Sequence, residues 1–232
     1  MAKISAIVSA YFCKDYLLGR IDNLFTQDPS PEIVVVCQKG SAEHDLIIQT
    51  GPDIVLVLTD DVPTIYKAWN LGIEASTGEY ITSANSDDRL YPGGLALMAQ
   101  VLDKNLSIAV AYGNQDVVRE VGSDPIGRFD WMEGNIEILL KGCFLGPMPL
   151  WRRSLHEKFG YFDEDLKVAG DYDFWLKLAK AKERFQKVEG TVGIYLDSPG
   201  SAEHRQINLT AWETARVRAR YRNGVGIWAL NI

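Results

Sequence analysis

Gly78-Glu79-Tyr80-Ile81-Thr82-Ser83-Ala84 reads as a buried β-strand, and it runs directly into Asn85-Ser86-Asp87-Asp88. In an open α/β sheet, ligands bind in the crevice outside the carboxyl ends of the strands, so these carboxylates stand at a binding position. Adjacent Asp87 and Asp88 repel each other, and a hard divalent cation with oxygen ligands relieves that repulsion. Such an ion suits the grip of a diphosphate. The same residues also read as an Asp-rich turn capping the next helix, because Asp-Asp-Arg-Leu-Tyr-Pro leads into Gly93-Gly94-Leu95 and an apolar-periodic segment.

Working outward, strand-like and helix-like segments alternate. Ile4 to Tyr11 is β-rich, and Tyr16 to Phe25 carries Tyr16, Leu17, Ile21, Leu24 and Phe25 at helical spacing. Glu32 to Cys37, Asp53 to Leu58 and Glu79 to Ala84 are further strands; a short helix or loop after a capping Ser41, and a helix over Val62 to Ala75, lie between them. This order predicts a parallel sheet covered by helices, whose strands are buried on both faces and so read as continuous apolar runs. Farther along, Pro92 to Asp103 reads as a helix and Ile108 to Gly113 as a strand, while Asp116 to Gly134, with Gly122, Asp124-Pro125 and Gly127, reads as loop. Gly142 to Trp151 reads as a strand with a proline-marked bend, followed by Arg152-Arg153 and a short helix. Gly170 to Lys182 opens as a helix with Asp171 and Asp173 in its first turn, where capping and the helix dipole are by themselves reason enough for an acid. Gly-Ser-Ala-Glu-His occurs at Gly40 to His44 and at Gly200 to His204 with unmatched flanks, a coincidence of two helix starts.

The chain has 232 residues, 47% hydrophobic and 24% charged, enough for one core and short for two, so one domain is expected. A net charge of −7 argues against a nucleic-acid binder, which needs basic surface against phosphates. Cys13, Cys37 and Cys143 are odd in number, widely spaced and without a metal-ligand pattern, as packed free thiols in a reducing compartment are. Met1-Ala2-Lys3-Ile4 runs into a strand with no signal-peptide pattern, and no apolar run reaches the ~20 residues of a membrane helix, so a soluble cytoplasmic protein is expected.

Several segments in their order resemble the family 2 glycosyltransferases, whose nucleotide-sugar-binding α/β fold is called GT-A. They are Val8-Ser9-Ala10-Tyr11; Ala68-Trp69-Asn70-Leu71-Gly72 through Gly78-Glu79-Tyr80-Ile81; Asn85-Ser86-Asp87-Asp88 with Pro92; Trp151-Arg152-Arg153-Ser154; Phe159-Gly160-Tyr161-Phe162-Asp163-Glu164; and Gly170-Asp171-Tyr172-Asp173-Phe174-Trp175-Leu176. The resemblance covers most of the chain. It implies a three-layer α/β/α, Rossmann-like GT-A fold with a mainly parallel central sheet, residues 1–113 forming the nucleotide-sugar half and 114–232 the acceptor and catalytic-base half.

It also implies roles. The family's Asp-x-Asp signature falls on Asn85 and Asp87, making Asp87 the ligand of a Mg²⁺ or Mn²⁺ that bridges the donor diphosphate. Asn85 removes one charge but keeps an amide oxygen for coordination or hydrogen bonding. Asp88 extends the signature; its other role is a cap on the Pro92 helix. The family's Glu-Asp pair falls on Gly170 and Asp171, making Asp171 the general base on the acceptor hydroxyl, with inversion at the anomeric carbon and no covalent sugar intermediate. Asp173, two residues along, points elsewhere. Where relatives end the second strand in Asp-Asp-Gly-Ser, this chain has Cys37-Gln38-Lys39-Gly40-Ser41. Gln38 can read a base edge, and Tyr11 either lies against the base or fills the core. Asp60-Asp61 read as a cap, and Trp69 stands where relatives commonly have Arg. Trp151-Arg152-Arg153 either sets a cation near the diphosphate or forms a solvated face. His204 falls where relatives fold a loop over the donor and either joins the metal shell or is plain surface. Arg216, Arg218, Arg220 and Arg222 either meet an anionic acceptor or lipid headgroup or encircle a helix without a stripe.

The expected activity is therefore metal-dependent sugar transfer from a nucleotide-sugar, a UDP-sugar ahead of a GDP- or dTDP-sugar, to a glycan or lipid-linked sugar. Peripheral membrane contact is compatible with it, and a role in polysaccharide biosynthesis follows. A nucleotide-sugar pyrophosphorylase shares the sheet but opens with a Gly-rich loop after strand one, and Ser9 to Asp15 contains no glycine. A catalytically silent binding module remains the alternative from a different class, given Asn85, Gly170 and Cys37-Gln38.

Overall fold

The computed structural model describes residues 3–51, 53–197 and 206–222. Strands β1 (Ile4–Ala10), β2 (Glu32–Gln38), β3 (Ile54–Thr59) and β4 (Tyr80–Ser83) alternate with helices α1 (Lys14–Phe25), α2 (Ala42–Thr50) and α3 (Ile65–Ala75). There follow β5 (Arg89–Leu90), α4 (Gly94–Lys104), β6 (Ile108–Val118), β7 (Gly127–Phe129), α5 (Ile136–Leu139), β8 (Leu150–Arg152), α6 (Ser154–Phe159), α7 (Gly170–Lys180), β9 (Arg184–Leu196) and α8 (Ile207–Tyr221). The sheet order is β3-β2-β1-β4-β8-β6-β9-β5, with β7 beside β6. β3, β2, β1, β4, β6 and β9 share one direction; β8, β5 and β7 oppose it.

The apolar strands build a three-layer core because successive side chains leave opposite faces. In β1, Ile4, Ala6, Val8 and Ala10 pack with α1 residues Leu17, Ile21 and Leu24 and with α4 residues Leu95, Met98 and Leu102. Ile7 points the other way, to Trp69 and Ile73 of α3 and the layer that holds Phe174 and Trp175 of α7. Gly72 lets α3 approach the sheet: a Cβ there would stand 2.4 Å from Ile7.

The structure departs from expectation in four places, three of them in the second half. β6 continues through Asp116 to Val118, and β7 pairs with Gln115 to Val117, so part of the expected loop is a hairpin. The acid is tolerated there because Arg128 Nε and Tyr91 Oη each donate to Asp116 at 2.8 Å. Gly142 to Pro149 is not strand, and only Leu150–Arg152 joins the sheet, antiparallel to β4. β9 was not anticipated. Asp60-Asp61 do not cap α3; Thr64 does, its hydroxyl accepting from Lys67 N.

His156 is buried in the α7 layer, where its ring stacks on Phe174 and on Tyr161 and accepts from Trp151 Nε1 at 2.9 Å. Burial pushes its pKa down to about 4, so the folded protein holds it neutral. The unfolded chain takes up its proton near 6.5, so this stability is complete above that pH and is lost as pH falls toward the folded value. Between pH 7 and pH 5, urea unfolding should show wild type changing unfavourably by about 2 kcal/mol relative to His156→Gln, the comparison that isolates this ring from other titrating groups.

Candidate active site

At the carboxyl ends of β1 and β4 lies a cavity of about 510 Å³ whose lining includes Tyr11, Asn85, Asp87, Asp171, Trp175 and Tyr195. A neighbouring cavity of about 730 Å³ shares Trp69, Asn85 and Asp171 and reaches Lys167, Gln206 and Thr210. Because β8 runs antiparallel to β4, its incoming segment Gly146 to Pro149 arrives at this same edge, and Ser83 Oγ donates to the Pro147 carbonyl at 3.3 Å.

The two adjacent aspartates part ways. Asp88 is 2% exposed; Oδ1 accepts from Leu196 N at 3.2 Å and Oδ2 from Asn85 Nδ2 at 3.3 Å. It pins the turn to β9 and does not cap α4, whose N-cap is Gly93 at φ 79°. Burial holds its pKa far above the carboxylate range; the charge of Asp87 pushes the same way and the Arg20 guanidinium opposes. Arg89 Nη1 donates to the Ser86 and Asp88 carbonyls at 2.7 Å and closes the turn from below. Asp87 is left half-buried on the cavity wall.

Asp171 enters from α7. The helix is capped at Ala169 without a side-chain bond, and Asp171 accepts from Tyr66 Oη at 2.9 Å. A Cβ at Gly170 would stand 2.6 Å from the Tyr66 ring. Gly170 is therefore a fit to Tyr66, which fills that space and binds the neighbouring carboxylate. Asp173 is 3% exposed and paired with Arg220 Nη1 at 2.7 Å, turned away from the cavity. The N–H groups of Lys167, Val168 and Ala169, which no turn of α7 can satisfy, donate to the Glu213 carboxylate of α8 at 2.9 to 3.1 Å. Glu213 and Tyr66 are the site residues that sequence reading missed; their partners lie 44 and 105 positions away, and no local signal marks them.

Tyr11 Oη meets Thr59 Oγ1 at 2.9 Å, on the cavity wall. Gln38 Nε2 donates to the Asp60 carbonyl at 3.0 Å, and Gln38 is not among the residues lining either cavity. Trp69 is buried between Tyr66 and Phe162. Arg152 lines neither cavity: Nε donates to Ile108 O at 2.8 Å and Nη2 to Leu102 O at 2.6 Å. On α8, Arg218 donates to Tyr172 Oη and to the Lys141 carbonyl, and Arg220 to Asp163 and Asp173, so both are held within the fold. His204 lies outside the described residues.

Among the described residues no three His, Cys, Asp or Glu side chains form a metal cage. One half-buried carboxylate on an open cavity fits a different arrangement, in which Mg²⁺ or Mn²⁺ takes one or two carboxylates and completes its shell with substrate phosphates and water. Asp87, with the Asn85 amide beside it, fits that demand.

Comparison with known proteins agrees with this architecture. TarS of S. aureus in complex with UDP-GlcNAc superposes with a TM-score of 0.74 at 20% identity, over 97% of this chain and 68% of that one. The mannosyltransferase PcManGT of Pyrobaculum calidifontis, in complex with GDP-Man and Mn²⁺, gives 0.72 at 18% identity, over 98% and 66%. Chondroitin synthase of Pasteurella multocida is 26% identical over 183 residues, which is 76% of this chain and 19% of that protein. The chain spans 19% to 58% of the length of the first curated relatives it matches. No described helix is long and apolar enough to cross a membrane. Residues 5–160, more than half of the chain, match glycosyl transferase family 2, and with its GT-A fold the chain belongs to that family.

Proposed function

We propose that the protein transfers a sugar from a nucleotide-sugar to an acceptor hydroxyl in a metal-dependent, inverting reaction. The observation that carries this is the convergence of Asp87 and Asp171, 84 residues apart in the chain, on one cavity at the carboxyl ends of β1 and β4. Asp87, with the Asn85 amide beside it, would hold a Mn²⁺ or Mg²⁺, which would supply positive charge to the departing diphosphate. Asp171 takes the proton of the acceptor hydroxyl while its oxygen attacks the anomeric carbon opposite the diphosphate. Among the described residues the carboxylates lining the two cavities are Asp87, Asp88 and Asp171; with Asp88 locked to β9, Asp87 at the phosphates and Asp171 serving as base, no further carboxylate is left to act as a sugar nucleophile. That supports direct displacement. The first half, through residue 113, supplies Tyr11, Asn85 and Asp87 to the donor; the second supplies the base, and the wider cavity at Lys167, Gln206 and Thr210 takes the acceptor glycan or lipid-linked sugar. UDP-GlcNAc and GDP-Man in the related structures support a UDP- or GDP-sugar donor.

Incubation with a panel of UDP-, GDP- and dTDP-sugars and Mn²⁺ tests this. Nucleoside diphosphate should be released. A silent binding module would raise the melting temperature with the same ligands and release none.

Tyr66 is a positioning residue in this scheme. A hydrogen bond to a carboxylate favours its charged form, so Tyr66→Phe should move the acid limb of the rate profile to higher pH. Donor hydrolysis measured against pH checks it; a merely structural Tyr66 would lower stability and leave the limb in place.

A further inference from the structure

Away from the active site, a cavity of about 450 Å³ opens where β9 bulges against β6, and it shares no lining residue with the two cavities above. Tyr112 pairs with Lys187 but Asn114 with Thr191, so Val188, Glu189 and Gly190 stand opposite Gly113 alone. The bulge buries Val188, turns Glu189 outward and passes through Gly190 at φ 107°. Such bulges re-aim side chains and gather beside functional sites. A second wall comes from Asp130 to Glu133, which have no regular structure, yet side chains of β6 hold them in place. Tyr112 Oη donates to the Met132 carbonyl at 2.8 Å, Asn114 accepts from Trp131 N at 3.1 Å and donates to Asp130 Oδ1 at 2.9 Å, and Gln115 accepts from the Trp131 indole. A loop tied so closely to a strand presents its side chains in fixed positions.

Trp131 presents carbon to this cavity. One face of its ring stacks on Phe129 with centroids 5.0 Å apart, and its N–H is taken by Gln115, so the part left to line the cavity is apolar ring. Met132, 58% exposed, adds a thioether beside it. The rest of the lining is polar and of both signs: Glu133, Glu189 and Lys187, whose ammonium has no hydrogen bond or ion pair among the described residues. An anion would meet the two carboxylates and a cation the ammonium, whereas hydroxyl groups donate to the first and accept from the second. A sugar ring matches both parts, its C–H side against the negative π-face and its hydroxyls toward the charged groups. The volume is within the usual range of small-ligand sites, about 300–1,000 Å³. Trp131 also borders the active site, since a Cβ at Gly146, in the wall of the first cavity, would stand 2.7 Å from its Nε1. We propose that the cavity at Trp131 is a non-catalytic sugar site that holds a neutral glycan at a distance from its reacting hydroxyl, a role that rests on the sugar-transfer reading above.

The test is a titration of the whole chain with neutral oligomers of glucose, galactose, mannose and N-acetylglucosamine, one to four units long. The tryptophan indole N–H resonances are followed, that of Trp131 assigned with Trp131→Phe. At least one tetramer should move the Trp131 signal. Lys187→Ala combined with Glu189→Ala should weaken that binding by about tenfold or more, as loss of hydrogen bonds to charged groups does, and should hold the melting temperature because Glu189 is exposed and Lys187 only half-buried. A Trp131 signal unmoved by every oligomer, or moved by inorganic phosphate or spermidine and by no sugar, would overturn the site, as would sugar binding that survives the paired substitution. In sugar transfer the same pair should raise the KM of a four-unit acceptor and spare that of a single sugar; equal effects on both would overturn the role in holding the acceptor. UDP with Mn²⁺ tests the donor reading separately: if it moves neither Trp69 nor Trp175 of the active-site cavity while a sugar still moves Trp131, that reading fails and the sugar site stands.

Discussion

Asp171→Asn lowers the turnover of sugar transfer by about 10²–10⁴-fold, the usual contribution of a general base, while donor affinity stays close to wild type. The substitution keeps shape and removes basicity. The amide oxygen can still accept from Tyr66 Oη, as the carboxylate does at 2.9 Å, so the side chain should hold its place. A purely structural Asp171 would give a different result. It is not the cap of α7, which is Ala169, so the melting temperature should barely move on either reading and the rate alone decides. Single-turnover transfer, with donor binding measured beside it, checks the assignment. A mutant that keeps more than about half the wild-type rate, far outside the general-base range, removes Asp171 from catalysis and favours the silent module.

Asp87→Ala should abolish the metal-dependent part of nucleoside diphosphate binding. Changes to groups that merely orient a metal ligand cost 10–100-fold in affinity, so loss of the ligand itself should cost roughly 100-fold or more. The fold should survive. Asp87 lies on the cavity wall, and its charge adds to the strain on buried Asp88, so its removal should hold or raise the melting temperature. Titration of UDP and GDP with and without Mn²⁺ reads the effect; equal affinities in wild type and mutant would take Asp87 out of the site.

The N-terminal half of this architecture was legible because its signals are local. Val34, Val35 and Val36 are buried in β2, and the apolar spacing of Leu17, Ile21 and Leu24 marks the buried face of α1. The strand-like run that ends at Ala84 places Asn85 and Asp87 at the carboxyl edge of the sheet from sequence alone. Beyond Gly113 the signals weaken. β9, Arg184–Leu196, mixes buried Val188 and Val192 with exposed Glu189 and Gly190, and its pairing with β6 is broken by register shifts, so neither alternation nor a continuous apolar run announces it. Asp116 reads as a loop residue until Arg128 and Tyr91 reach it. The departures at the site have the same character. Gly170 reads as a lost acid, and only the Tyr66 ring, brought from α3, shows why no side chain can stand there. Asp88 reads as Asp87's equal until the Leu196 amide claims it. Phe12 stands at φ 55°, a left-handed backbone that an aromatic residue normally avoids, and no sequence signal marks it.

In the proposed reaction Asp87 and Asp171 face each other across a bound nucleoside diphosphate and its metal. Anomalous diffraction at the manganese edge, from crystals soaked with UDP and Mn²⁺, tests it most directly. A manganese peak about 2.1 Å from an Asp87 oxygen, bridged to both phosphates with the Asp171 carboxylate facing the far side of the terminal phosphate, is the expected result. Nucleotide bound without a peak at Asp87, or a peak at any other group of side chains, would contradict it.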